Sequence, residues 1–292
     1  MSNSEEISFI AVDGGGTSSR FILRHHGARY ECEGGPTNVS SDFKAALHEV
    51  QTAVAGLAQD SGLVADALFA FPAFLGLAGV TGPEMATRVS AALPFDRVQV
   101  VDDRAAALVG ALGQQDGAIA HCGTGSFLAS RIDGQTRFAG GWGPVLGDEA
   151  SAVWVGRRLL SETLKCVDGF EPYSDLTTEV VKRYGDAPGV VRFAAEAAPS
   201  VLGQLAKMVT LGAESSDQTA ERIMKEAASY LAHGLQKIGW APHLTMCLTG
   251  GIASNYLPYL PEEMRAAIKA PVGRPIDGAE ALAFALAREN RA

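Results

Sequence analysis

The sequence predicts an α/β protein of two domains, on three observations. Its 292 residues exceed what one small core needs. A run of three strands followed by a helix occurs twice, from residue 7 and again from residue 117. Each occurrence places a glycine-flanked threonine at the end of an apolar run: Asp13-Gly14-Gly15-Gly16-Thr17 and Gly123-Thr124-Gly125-Ser126. Glycine lets the backbone turn tightly and approach a ligand, so successive N–H groups can converge on phosphate oxygens. Two such turns facing one another suit a nucleotide.

In order along the chain, Ile7 to Val12, Arg20 to Leu23 and Ala28 to Cys32 read as an antiparallel meander, with His25-His26 at a solvated hairpin tip. Residues 42–59 carry Phe43, Leu47, Val50, Val54 and Leu57 at helical spacing. A buried strand is expected over 74–78, a helix with proline in its first turn over 83–93, a strand over 98–101 and a helix over 104–112. The second occurrence gives strands over 118–121, 127–132 and 135–139, the last two joined by Asp133-Gly134, a strong hairpin turn. A helix is expected from about Asp148, a natural cap, to Val167. Between Tyr173 and Trp240 the pattern is wholly helical, which marks an insertion. Leu244 to Leu248 forms a strand leading into Thr249-Gly250-Gly251, and Asp277 caps a last helix over 279–288. The expected domains are 1–115, with 278–292 returning to it, and 116–277, with the insertion at about 173–240.

Hydrophobic residues at 47% and charged residues at 20% describe a globular chain. A net charge of −9 offers no attraction to nucleic acid or to an anionic membrane, so small molecules are the expected partners. Met1 to Glu6 lacks the basic and apolar regions of a signal peptide, and the apolar stretch 67–80 is too short to span a bilayer, so a cytoplasmic location is expected. Cys32, Cys122, Cys166 and Cys247 show no C-x-x-C spacing and read as small buried hydrophobes. The histidines lack metal-binding spacing, and none is expected to be catalytic.

Asp13 ends a strand beside the first glycine turn, where it either completes the turn or meets a cation. Asp102 and Asp103 follow the strand 98–101, where either can cap the next helix or accept a proton from a hydroxyl. Asn38 can donate and accept, which suits vicinal hydroxyls, but a lone loop asparagine is also a common turn residue. Gly140, Gly141 and Gly143 let their loop pass close to a ligand, whereas Trp142 serves equally well as a core anchor or a sugar platform.

The ordered set DGGGTSSR (13–20), GGPTNV (34–39), GLAGV (76–80), VVDDRAA (100–106), GTGS (123–126), GGWGPVLGDEAS (140–151) and LTGGIA (248–253) resembles the BadF/BadG/BcrA/BcrD ATPase family. Within it, the resemblance is closest to the N-acetylglucosamine and glucosamine kinase branch of the sugar kinase, actin and heat-shock chaperone superfamily. It covers nearly the whole chain and implies duplicated actin-like (ribonuclease H-like) ATPase domains, an interdomain nucleotide cleft and a helical insertion in the second domain. It also implies ATP and Mg²⁺ as cofactors, phosphorylation of an amino sugar at C6, and a homodimer.

Carried onto this sequence, the resemblance makes Gly15, Gly16, Thr17, Thr124 and Gly125 the phosphate contacts and Gly250 and Gly251 the adenosine turn. Asp13 would meet Mg²⁺ through water. Asp103, rather than Asp102, becomes the base, and Asn38, Asp103, Gly141 and Asp148 face the sugar. Phe127 departs from a position that is often polar and touches sugar in the kinases, which leaves glucosamine and N-acetylglucosamine both open. Relatives that activate acyl-CoA dehydratases hold an iron–sulfur cluster, so Cys122 and Cys166 offer an alternative reading, with spacing that departs from theirs. A sugar sensor is the third; it lacks the expected DNA-binding segment and cysteine-rich motif.

Overall fold

The structure, a computed structural model, describes residues 7–289, so the reading of Met1 to Glu6 lies outside the described residues. The chain divides into two compact units, Met1–Gln114 with Pro271–Ala292, and Gln115–Ala270.

The first unit contains β1 (Phe9–Gly14), β2 (Ser19–His25), β3 (Ala28–Gly34), α1 (Phe43–Ser61), α2 (Ala65–Phe69), β4 (Ala73–Leu77), α3 (Pro83–Ala92), β5 (Val98–Val101) and α4 (Arg104–Leu112). A C-terminal helix, Pro275–Arg288, completes it. The five strands run in the order β3-β2-β1-β4-β5, with β1 antiparallel to β2 and parallel to β4. Because side chains alternate along a strand, β1 feeds two cores. Ile10 and Val12 pack with Val50, Val54 and Leu57 of α1, whereas Phe9 and Ala11 pack with Ile276, Ala279 and Ala283 of the C-terminal helix. That burial on both faces is why β1 reads as a continuous apolar run. Glu280 fixes the helix to the meander through ion pairs with Arg24 and Arg29.

The second unit contains β6 (Gly117–Cys122), β7 (Ser126–Ile132), β8 (Gln135–Gly140), α5 (Ala152–Val167), α6 (Asp175–Tyr184), α7 (Ala187–Glu196), α8 (Pro199–Gln204), α9 (Ala206–Glu214), α10 (Gln218–Lys237), β9 (Thr245–Thr249) and α11 (Glu262–Ala267). Its strand order, β8-β7-β6-β9, repeats the logic of the first sheet: β6 is antiparallel to β7 and parallel to β9. Ala118, Ala120 and Cys122 on one face of β6 pack with Val155 and Leu159 of α5 and Leu231 and Leu235 of α10. Glu162, buried on α5, is satisfied by Arg158, Lys165 and Arg222, which ties α5 to α10. Asp217 does the same for α6 and α10. Its Oδ1 accepts the N–H groups of Thr219 and Ala220 at 3.0 Å, while Oδ2 accepts that of Leu176 at 3.0 Å.

Two helix starts differ from expectation. α5 begins at Ala152, and Ser151 caps it by accepting the Trp154 N–H. Asp148 and Ala150 have φ of +58° and +68°, which a helix cannot include, so Asp148 is not its cap. The C-terminal helix begins at Pro275 in its first position, and Asp277 instead reaches back to accept the Arg274 N–H at 2.8 Å. The short elements α2, α11 and the 3₁₀ helix Ala253–Tyr259 were not expected.

Replacing Asp217 with Ala removes partners from two helix starts at once. Urea unfolding should show a loss of about 2–3 kcal/mol, against about 1 kcal/mol for Asp42→Ala at the α1 cap. Equal losses would contradict the shared role.

Candidate active site

In the first unit the site gathers at the C-terminal ends of β1, β4 and β5. Register pairs Asp13 with Arg20 on β2 and with Gly76 on β4. No hydrogen-bond donor reaches its carboxylate among the described residues, and burial lifts its pKa to about 6 against the pull of Arg20 and Arg274. The turn that follows is closed by the Gly15 N–H donating to Ser18 O and by Gly15 O accepting the Thr37 N–H, both at 3.0 Å. Gly16, Thr17 and Ser18 are exposed at its tip. The N–H groups of Gly16 and Thr17 have no protein acceptor among the described residues, which fits them to anionic oxygens. An acceptor-only carboxylate without a donor likewise fits a cation, and Mg²⁺ characteristically takes few carboxylates alongside phosphate oxygens and water.

The two aspartates after β5 divide their roles. Asp102 accepts the Arg104 N–H at 2.9 Å and the Arg104 Nε at 2.6 Å. Asp103 occupies the cap position of α4 but makes no capping bond. Burial, with the negative charges of Asp102 and Asp13 nearby, pushes its pKa up to about 7. A carboxyl of this kind is poised to accept a proton near neutrality. Asn38 closes a local turn, its Oδ1 accepting the N–H groups of Ser40 and Ser41 at 3.0 and 3.1 Å. Its Nδ2 lies on the side of Gly16.

In the second unit the corresponding turn is held by the Gly123 N–H donating to Gly125 O at 2.9 Å, with Thr124 exposed. Asp148 is 6% exposed and accepts N–H groups from Gly143, at 3.1 Å, and from Ser126; burial raises its pKa against both bonds. Its carboxylate therefore belongs to the glycine loop and the Gly123–Ser126 turn at once. The Ser126 hydroxyl donates to Glu149 O at 2.6 Å, a second tie between them. Gly250 has φ +89°, and a side chain there would collide with the Cys122 carbonyl, to which the Ile252 N–H also donates at 3.1 Å. Only glycine lets the Thr249–Gly251 turn lie this close to the end of β6.

Gly141 lies on the same loop as Asp148 and is exposed. Trp142 is 69% exposed, so it is not a core anchor. Cys122, Cys166 and Cys247 are buried and Cys32 is half-buried; the Cys166 thiol is shared between the carbonyls of Glu162 and Pro172. Arg20 and Arg274, whose charges act on Asp13, and His121, beside the Gly123–Ser126 turn, were not singled out from the sequence. His121 was legible only as a polar residue interrupting an apolar strand.

The chain matches the BadF/BadG/BcrA/BcrD ATPase family over residues 10–281. It is 27% identical to the glucosamine kinase GspK of Vibrio cholerae over 275 residues, 93% of this chain and 94% of the relative. It is 24% identical to the N-acetylmuramic acid/N-acetylglucosamine kinase of Clostridium acetobutylicum, covering 88% of each. A crystal structure from Chromobacterium violaceum, provisionally named an N-acetylglucosamine kinase, superposes with a TM-score of 0.80 at 30% identity, covering 97% of this chain and 99% of that one.

The raised pKa of Asp103 has a measurable cost. The folded chain holds this proton more tightly than the unfolded chain, so the associated stability is present at low pH and is lost as pH rises through about 7. Asp103→Asn should therefore raise Tm at pH 8 and change it little at pH 4. A lower Tm at pH 8 would contradict the burial account.

Proposed function

The chain belongs to the BadF/BadG/BcrA/BcrD ATPase family, and on that premise we propose that it transfers the γ-phosphoryl group of ATP to the C6 hydroxyl of glucosamine or N-acetylglucosamine. The observation that carries this reading is the Asp103 carboxyl, free of capping duty and shifted to about 7.

In this mechanism Asp103 orients the O6 hydroxyl and takes its proton as O6 bonds to the γ-phosphorus. The bond from that phosphorus to the β–γ bridging oxygen breaks, and ADP leaves. The N–H groups of Gly16 and Thr17, together with Gly15, Thr124 and Gly125, are the proposed contacts to phosphate oxygens. Gly250 and Gly251 receive the adenosine end. Asp13 would hold Mg²⁺ through water, and the chemistry supplied there would be neutralisation of phosphate charge. Asn38, Gly141 and Asp148 orient the sugar. For Asp148 to do so, the sugar must share a carboxylate already engaged by Gly143 and Ser126.

Phe127 leaves glucosamine and N-acetylglucosamine both open. Its ring stacks on His121 with centroids 5.0 Å apart and offers no hydrogen bond to a sugar. The proposed enzyme works as a cytoplasmic homodimer on small molecules. No helix among the described residues is long and apolar enough to cross a membrane.

ADP release measured over a panel of amino sugars and hexoses should be fastest with glucosamine or N-acetylglucosamine; no release with any sugar would refute the proposal. Asp103→Asn should keep ATP binding and lose roughly 10²–10⁴-fold in kcat. In the wild type, kcat should fall as pH drops below about 7, where Asp103 carries its proton. Normal turnover in Asp103→Asn would exclude it as the base.

A further inference from the structure

Two side chains outside the assigned machinery, His121 and Thr249, form one row with Phe127 across the second sheet. Register pairs His121 of β6 with Phe127 of β7 on one side and with Thr249 of β9 on the other. The Phe127 and His121 rings stack with 16° between their planes, while His121 Nδ1 and Thr249 Oγ1 are hydrogen-bonded at 3.1 Å. The other ring nitrogen lies against the turn itself: a Cβ built on Gly123 would stand 3.1 Å from Nε2. The row therefore crosses the sheet where the Gly123–Ser126 and Thr249–Gly251 turns both leave it.

The internal repeat shows what this row replaces. β1 and β6 share one burial pattern, and β2 and β7 share another. On that alignment His121 takes the place of Asp13, and Phe127 that of Arg20. The row in the first unit is charged, whereas its counterpart is neutral, since burial pushes the His121 pKa down to about 4. An uncharged imidazole with an aromatic ring on one side and a hydroxyl on the other contributes rigidity rather than charge. A histidine near the end of a strand is ordinarily a packing residue. This one makes its polar contact on a different strand, at the base of a different turn.

We propose that His121 is a positioning residue which, through Thr249, locks the phosphate turn and the adenosine turn into one nucleotide cradle. The inference rests on the reading of those two turns as ATP contacts.

Calorimetric ADP binding and steady-state kinetics on the full chain test it. Thr249→Val and His121→Ala should each weaken ADP binding about tenfold, about 1.4 kcal/mol, and raise the KM for ATP to match, leaving the sugar KM within about twofold. The double variant should lose no more than either single change, because both break one bond. His121→Asn, which keeps a polar group near the Nδ1 position, should recover most of the affinity. Unchanged ADP affinity in Thr249→Val, a mild substitution that tests the bond even if His121→Ala fails to fold, would overturn the proposal; so would additive losses or an equal rise in sugar KM. A wild-type chain that binds ADP but phosphorylates no amino sugar overturns only the kinase reading, whereas one that binds no ADP overturns both.

Discussion

Everything at the candidate site depends on the register of one strand in each unit. β1 is antiparallel to β2 and parallel to β4, and β6 is antiparallel to β7 and parallel to β9. Side chains alternate with a period of two, so a slip of one residue would send Asp13 or His121 into the core and an apolar neighbour into the site. The slip is prevented by what the intervening residues bury: Ile10 and Val12 against α1, and Ala118, Ala120 and Cys122 against α5 and α10. The apolar cores thus hold the polar chemistry in phase.

The two units use the same scaffold for opposite electrostatic purposes. In the first, carboxylates are concentrated where burial makes charge costly, and the raised pKa values of Asp13 and Asp103 are the sign of that cost. In the second, Asp148 has its charge shared among backbone N–H groups, and His121 remains neutral. A carboxyl with a raised pKa suits proton transfer, while a fixed neutral group suits holding a ligand still. Marginally stable proteins commonly carry unfavourable charge only where function uses it.

Much of this was legible in the sequence because glycine turns and alternating apolar runs are local signals. The strands around 13–17 and 123–126 emerged within a few residues of their true ends, and Asp103 was singled out beside Asp102. The resemblance favoured Asp103 over Asp102, but the residues by themselves did not divide the two, since the division depends on where the Arg104 side chain lies. Asp148 is not the helix cap that its position suggests, because Ser151, three residues on, takes that role, while Asp148 has a positive φ and accepts from Gly143 and Ser126. The elements α2 and α11 are too short to display a period. The His121 row combines residues 121, 127 and 249, and only strand pairing reveals it.

The C-terminal helix carries a consequence for how the chain is made. Phe9 and Ala11 of β1 are covered by Ile276, Ala279 and Ala283, residues made after the whole of the second unit. The second unit, Gln115–Ala270, is continuous and can close its core during translation. β1 must instead wait with one apolar face uncovered until the chain beyond the second unit has been made. Vectorial synthesis therefore leaves that face exposed while the second unit is made, and the ion pairs of Glu280 with Arg24 and Arg29 form only as that exposure ends.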